Sequence, residues 1–241
     1  MNRNEKVLIA GGSSGMGLAL ARSLLADGAA VVIAGRSAAR LAQARAALAD
    51  VGDARTIAAD ITREDDVVRL FEECGAVGHI VSTAADIGGA YELLPALDLA
   101  AARKVVDSKF IGPLLLAKHG KARLAPAGSI VFTSGIAAYR PAPRGSVVAG
   151  VNGALESLAY ALAVELAPIR VNVVSPGWVD TPIWQQVAGD EARAKLEAMA
   201  QKLPVGRIGQ AADIADGIRF LMRNGFVTGS VLHLDGGHRL V

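Results

Sequence analysis

The sequence predicts an α/β fold: a doubly wound parallel sheet of seven strands in a single domain spanning residues 1–241. Three observations point there. Short Val- and Ile-rich runs alternate with Ala- and Leu-rich stretches of helical period, the order of repeated βαβ units. The runs are almost continuously apolar, as strands covered by helices on both faces must be. A glycine cluster stands directly after the first run, where a strand turns into a helix.

The strands are expected at Val7 to Ala10, Ala30 to Ala34, Arg55 to Ala58, Ile80 to Ser82, Ile130 to Thr133, Val171 to Val174 and Val231 to Leu234. Helical patterns lie between them at Leu18 to Ala26, Ala38 to Ala49, Glu64 to Cys74, Ala101 to Lys118, Val148 to Ala167 and Ala211 to Met222. Crossovers of this length are right-handed. Asp180 to Lys202 breaks the alternation: it is polar and helical, with Pro182 and Pro204 near its ends. That composition suits either a lid over a ligand, near residues 180–204, or a plain surface excursion.

Composition excludes several classes. With 52% hydrophobic and 20% charged residues the chain is not disordered. Its uncharged stretches, such as Ala125 to Tyr139, are broken by Pro, Gly, Ser and Thr, so no membrane span is expected. The formal charge of +2 is spread along the chain, which argues against a nucleic-acid surface. Cys74 has no partner for a disulfide, and the start Met-Asn-Arg-Asn-Glu-Lys lacks the apolar segment of a secretory signal. The reducing cytoplasm is the expected location. No Cys/His cluster has metal spacing, so no metal is expected.

The glycine cluster reads Gly11-Gly12-Ser13-Ser14-Gly15-Met16-Gly17. A strand turning sharply into a helix presents free backbone N–H groups and the positive end of the helix dipole, so it holds a pyrophosphate without a lysine. The spacing departs from Gly-x-Gly-x-x-Gly, because Leu20 stands at the last glycine position. At the tip of the second strand stand Arg36 and Ser37, with no acid among them. A carboxylate there binds the ribose hydroxyl of NAD, whereas a guanidinium and a hydroxyl favour the extra phosphate of NADP(H).

These residues resemble the short-chain dehydrogenase/reductase family, nearly end to end. The glycine spacing is the family's, and so are Asp60-Ile61 after the third strand and Gly128-Ser129-Ile130-Val131 before the fifth. Late in the chain, Asn172, Pro176-Gly177 and Thr181-Pro182 resemble its nicotinamide-side segment, followed by Gly206-Arg207-Ile208-Gly209 and Asp235-Gly236-Gly237. The resemblance implies an extended Rossmann fold, a nicotinamide cofactor and a homo-oligomer, a dimer or tetramer, built on the helices Ala101 to Lys118 and Val148 to Ala167. It implies cofactor contacts from Gly11, Ser13, Ser14, Gly15, Met16, Gly17, Arg36, Ser37, Asp60, Ile61, Ala84, Asn152, Pro176, Gly177, Val179 and Thr181.

The likeness breaks at two places. Where the family's fourth strand ends Asn-Asn-Ala-Gly, this chain has Ser82-Thr83-Ala84-Ala85. The family's proton relay pairs Tyr-x-x-x-Lys with a Ser and an Asn; in the ungapped register from Asn152 to Gly177, Val148 stands at the tyrosine and Asn152 at the lysine. Valine has no exchangeable proton and asparagine no charge. The usual serine falls at Gly135, beside Ser134, and the usual asparagine has become Lys109. Lys109 and Asn152 are thus an exchanged pair, in which Lys109 either restores the missing cation or is an ordinary lysine. Ser134 and Tyr139 are the candidate replacement proton donors. Trp178 and Trp184 suit core packing or a pocket wall.

Two functions fit this pattern. One is an NADP(H)-dependent oxidoreductase acting on a carbonyl or alcohol through a rearranged relay. The other is an inactive NADP(H)-binding regulator that lost the Tyr and Lys.

Overall fold

The computed structural model describes residues 5–241. Its strands are β1 (Lys6–Ala10), β2 (Ala30–Gly35), β3 (Arg55–Ala58), β4 (Val77–Ser82), β5 (Leu124–Thr133), β6 (Arg170–Pro176), β7 (Val179–Asp180), β8 (Gly209–Gln210) and β9 (Val231–Leu234). The α-helices are α1 (Gly15–Ala26), α2 (Ala38–Leu48), α3 (Glu64–Cys74), α4 (Leu99–Val106), α5 (Gly112–Gly120), α6 (Ser146–Glu165), α7 (Ile183–Ala188), α8 (Ala192–Ala200) and α9 (Ala211–Arg223). Seven strands form one sheet in the order β3-β2-β1-β4-β5-β6-β9. Every pairing is parallel, so all carboxyl ends lie along one edge. The chain enters at β1 in the middle and turns first to one side, then to the other. That reversal opens a crevice between β1 and β4, the place where open α/β sheets bind ligands.

Alternate residues of each strand feed two cores, which is why the strands read as unbroken apolar runs. Leu8, Ile80, Phe132 and Val173 pack with α3, α5 and α6 residues such as Leu70, Leu116 and Leu155. Val7, Ile9, Ile33 and Val174 pack with α1, α2 and α9 residues such as Leu24, Leu48 and Ile218. A third, smaller cluster of Ile87, Ala90, Val105, Val148 and Val151 lies apart from both.

Several sequence expectations need correction. The helix expected over Ala101 to Lys118 is divided by a wide turn at Asp107–Ile111, where the Gly112 N–H reaches back five residues to the Asp107 carbonyl. Pro113 follows and has no N–H to continue the regular ladder. The insertion after β7 comprises α7 and α8, neither with a buried residue. β7 and β8 pair over only two residues each, too short to leave a periodic signal. α6 is long and apolar enough by composition alone to pass for a span, with 20 residues and a mean hydropathy of 1.5 over its best window. It is nevertheless a core helix, burying Val148, Val151, Leu155, Ala159 and Leu162 together with Asn152 and Glu156.

Arg170, at the start of β6, is buried. Its guanidinium donates to the carbonyls of Leu221 at 2.6 Å and Met222 at 2.7 Å, and to Val227 at 3.4 Å. It thereby caps the carboxyl end of α9, where a cation is also favoured by the helix dipole. Arg170→Leu would leave those carbonyls dry and unpaired. We expect a loss of about 3 kcal/mol, read as a lower urea midpoint at unchanged slope.

Candidate active site

A cleft of about 240 Å³ opens at the crevice and is lined by the glycine loop, the tips of β2 and β3, the segment after β4, and Thr181 to Ile183. Of the residues expected to touch a cofactor, it contains Gly11, Ser13, Ser14, Gly15, Met16, Arg36, Ser37, Asp60, Ile61, Ala84 and Thr181. Gly17, Asn152, Pro176, Gly177 and Val179 are outside this lining. Pro176 and Gly177 pack along β9, where a Cβ on Gly177 would fall 2.7 Å from the Asp235 Cα. Val179 is buried beside Gly209.

The glycines are required by close backbone approach. A Cβ on Gly17 would stand 2.4 Å from the Gly11 carbonyl oxygen, and one on Gly11 would stand 2.6 Å from the Ala84 nitrogen. Ser14 starts α1 without a side-chain cap, so the first N–H groups of the helix remain available to an anion. The same glycine loop meets the late segment of the chain: a Cβ on Gly15 would lie 3.4 Å from Thr181.

At the β2 tip, Arg36 does not stand alone. Asp86, from the segment after β4, accepts a hydrogen bond from its Nη1 at 2.8 Å, which corrects the expectation that this end holds no acid. Arg40, one helical turn after Arg36, adds a second guanidinium and donates to Ser14 Oγ at 3.1 Å. Two guanidiniums therefore flank Asp86 at the β2 tip, with Asp60 at the neighbouring β3 tip. Both Arg40 and Asp86 line the cleft.

Beyond β5 two side chains converge on three successive carbonyls. Lys109 Nζ donates to the carbonyls of Thr133 at 3.2 Å and Ser134 at 3.3 Å. Asn152 Nδ2 donates to that of Gly135 at 3.3 Å, while its Oδ1 is buried without a partner. Lys109 is 7% exposed, and burial lowers its pKa from 10.5 to about 8. No carboxylate offsets that burial.

Ser134 and Tyr139 are both engaged by Glu156, which sequence reasoning missed. Ser134 Oγ donates to Glu156 Oε1 at 2.6 Å and the Tyr139 hydroxyl donates to Oε2 at 2.5 Å. Burial and the carboxylate push the Tyr139 phenol well above its ordinary pKa. Neither hydroxyl is set to release a proton to a substrate. Trp178 and Trp184 stack with centroids 4.4 Å apart, and Trp184 Nε1 donates to the Val179 carbonyl, fixing the start of the insertion. Among the described residues no group of three or more His, Cys, Asp or Glu side chains is placed to hold a metal ion.

The sequence profile of adh_short_C2, described as enoyl-(acyl carrier protein) reductase, matches residues 10–239. The chain belongs to the short-chain dehydrogenase/reductase family. Within this family it is 34% identical to the short-chain dehydrogenase/reductase malC of Malbranchea aurantiaca over 250 residues, covering 98% of this chain and 94% of the relative. It is 35% identical to cis-4-hydroxycyclohexanecarboxylate dehydrogenase of Sinomonas cyclohexanicum over 244 residues, covering 97% and 96%. A crystal structure of a small-chain dehydrogenase in complex with NADPH superposes with a TM-score of 0.86 at 34% identity, covering 99% of this chain and all of that one.

The buried ammonium of this dehydrogenase-family chain has a thermodynamic signature. The unfolded chain keeps its lysine proton up to pH 10.5, whereas folded Lys109 releases it near pH 8. Between those values the unfolded state binds more protons, so stability rises with pH. Wild-type stability should gain on the order of 3 kcal/mol over Lys109→Met across that window, measured by urea unfolding at pH 7 to 10.5.

Proposed function

We propose that the chain is an NADP(H)-dependent oxidoreductase acting on a carbonyl/alcohol pair through a proton relay in which Lys109 replaces the usual cation. The observation that carries this reading is the convergence of Lys109 and Asn152 on the carbonyls of residues 133 to 135. In the register the family resemblance implies, Val148 and Asn152 stand where the tyrosine and lysine would be. Lys109 returns a cation to the same end of β5 from the neighbouring wide turn. An ammonium there stabilises the negative charge that develops on the substrate oxygen as hydride adds to the carbonyl carbon.

The glycine cradle and the uncapped start of α1 fit a pyrophosphate, and Arg36, Ser37 and Arg40 fit an added ribose phosphate. The NADPH complex of the related dehydrogenase supports the same choice. Bound in this cleft, NADPH supplies the hydride. Thr181 packs against the glycine loop and lines the cleft. The segment from α7 to α8 serves as a cover over the cleft, which Ile183 and Gln186 of α7 already line. The exposed Tyr160 and Val164 on α6 support assembly into a homo-oligomer. The alicyclic hydroxyacid named for the Sinomonas relative supports small alcohols and ketones as the substrate class.

Calorimetric titration should show NADPH binding at least about tenfold more tightly than NADH, and Arg36→Asp should remove that preference by eliminating a charge-assisted contact. With a carbonyl panel, Lys109→Met should lower kcat by about 100-fold while leaving NADPH affinity within about threefold. Equal affinity for both cofactors would reject the cofactor assignment. Tight NADPH binding with no turnover on any carbonyl would favour the regulator.

A further inference from the structure

With Ser134 and Tyr139 both tied to Glu156, the proposed reduction still needs a hydroxyl beside the substrate oxygen. The chain has three tyrosines. Tyr160 sits on the outer side of α6, 46% exposed. Tyr91, in the segment between β4 and α4, is half-buried and packs against the third apolar cluster, the one containing Val148.

We infer that Tyr91 is the catalytic residue that gives a hydrogen bond, and then its proton, to the oxygen of an apolar carbonyl substrate. This assignment rests on the oxidoreductase reading above. Its location is the first support. A Cβ on Gly145, the residue before α6, would meet Tyr91 Cε1 at 3.9 Å, so the ring stands at the start of the helix, one turn from Val148. The same cluster is extended by Ala137, Val147, Ile183 and Val187. Ala85 and Ile183 pack against this cluster and also line the cofactor cleft, so the cluster borders the cleft.

The second support is the state of the phenol. Burial alone raises its pKa, with no hydrogen-bonded or charged partner contributing. The hydroxyl is neutral and its proton uncommitted, in contrast to Tyr139. The third is how the segment is held. Arg144 Nη2 pairs with Glu92 Oε2 at 2.8 Å, tying the neighbour of Tyr91 to the loop before α6. Arg144 holds φ at 71°, a left-handed conformation that costs a residue with a Cβ about 1 kcal/mol or more. Strain of this kind persists where surrounding structure fixes a geometry.

The chemistry balances. As hydride adds to the carbonyl carbon, the C–O π pair becomes a lone pair on oxygen; the Tyr91 O–H bond breaks and its proton forms the alcohol O–H. The phenolate then recovers a proton from water. The net change is ketone, NADPH and one proton to alcohol and NADP+. Because the cluster is apolar, the carbon flanking the carbonyl must be apolar too, since a carboxylate there would lose hydration without a partner.

Cyclohexanone, an apolar ring with one acceptor oxygen, is the probe. With protein carrying tyrosine labelled with carbon-13 at Cζ and saturated with NADP+, three resonances are assigned by single Phe variants. On addition of cyclohexanone the Tyr91 signal should shift, and those of Tyr139 and Tyr160 should not. In NADPH-driven turnover, Tyr91→Phe should lower kcat by at least about 100-fold with KM within about threefold, whereas Tyr160→Phe should match wild type. A silent Tyr91 resonance, or undiminished kcat in Tyr91→Phe, overturns the assignment. A shifting Tyr91 resonance in a wild-type protein that turns over no carbonyl would instead sink the oxidoreductase reading and keep Tyr91 as the ligand's partner.

Discussion

A backbone-on-backbone contact at the crevice between β1 and β4 governs the rest of the site. Gly17 presses its Cα against the Gly11 carbonyl, and Gly11 presses against Ala84. Thr83 Oγ1 donates to the carbonyls of Ala10 and Gly11 at 3.3 and 3.2 Å. A methyl group on either glycine would push α1 away from the strand ends. With it would go the amide-rich mouth that suits a pyrophosphate and the contact between Gly15 and Thr181. The parallel ladder supplies the rest, since it delivers every strand end to the same edge.

Beyond that crevice the site carries two buried groups of opposite sign held by neutral dipoles. Lys109 is met by two backbone carbonyls, Glu156 by two hydroxyls. Residue 134 joins them, its carbonyl facing the ammonium and its Oγ the carboxylate. Dipoles fix such groups in place without neutralising them as an ion pair would. The outcome is a lysine near its titration point and a tyrosine unable to ionise near neutral pH.

The sheet was legible because burial on both faces writes itself into consecutive residues: Val31, Val32 and Ile33 are all buried, on alternating sides. The glycine loop was legible because its demands are local. What escaped depends on residues far apart in sequence. Asp86 reaches Arg36 across 50 positions, and Glu156 collects hydroxyls 22 and 17 residues away. Glu156 lies one turn beyond Asn152 in a mostly apolar helix whose other charge, Glu165, is its last residue, and that mid-helix charge was the signal available for it. The break at Asp107–Ile111 had its own mark in Gly112-Pro113, masked by apolar residues on either side.

The shallow seating of α7 bears on how much the insertion adds to the fold. Its hold on the third cluster comes from Ile183 and Val187, both only partly buried. At roughly 1.5–3 kcal/mol for complete burial of such a side chain, two half-covered ones amount to about 2 kcal/mol. So little apolar cover makes α7 a minor contributor to the stability of the fold, which rests on the sheet beneath it.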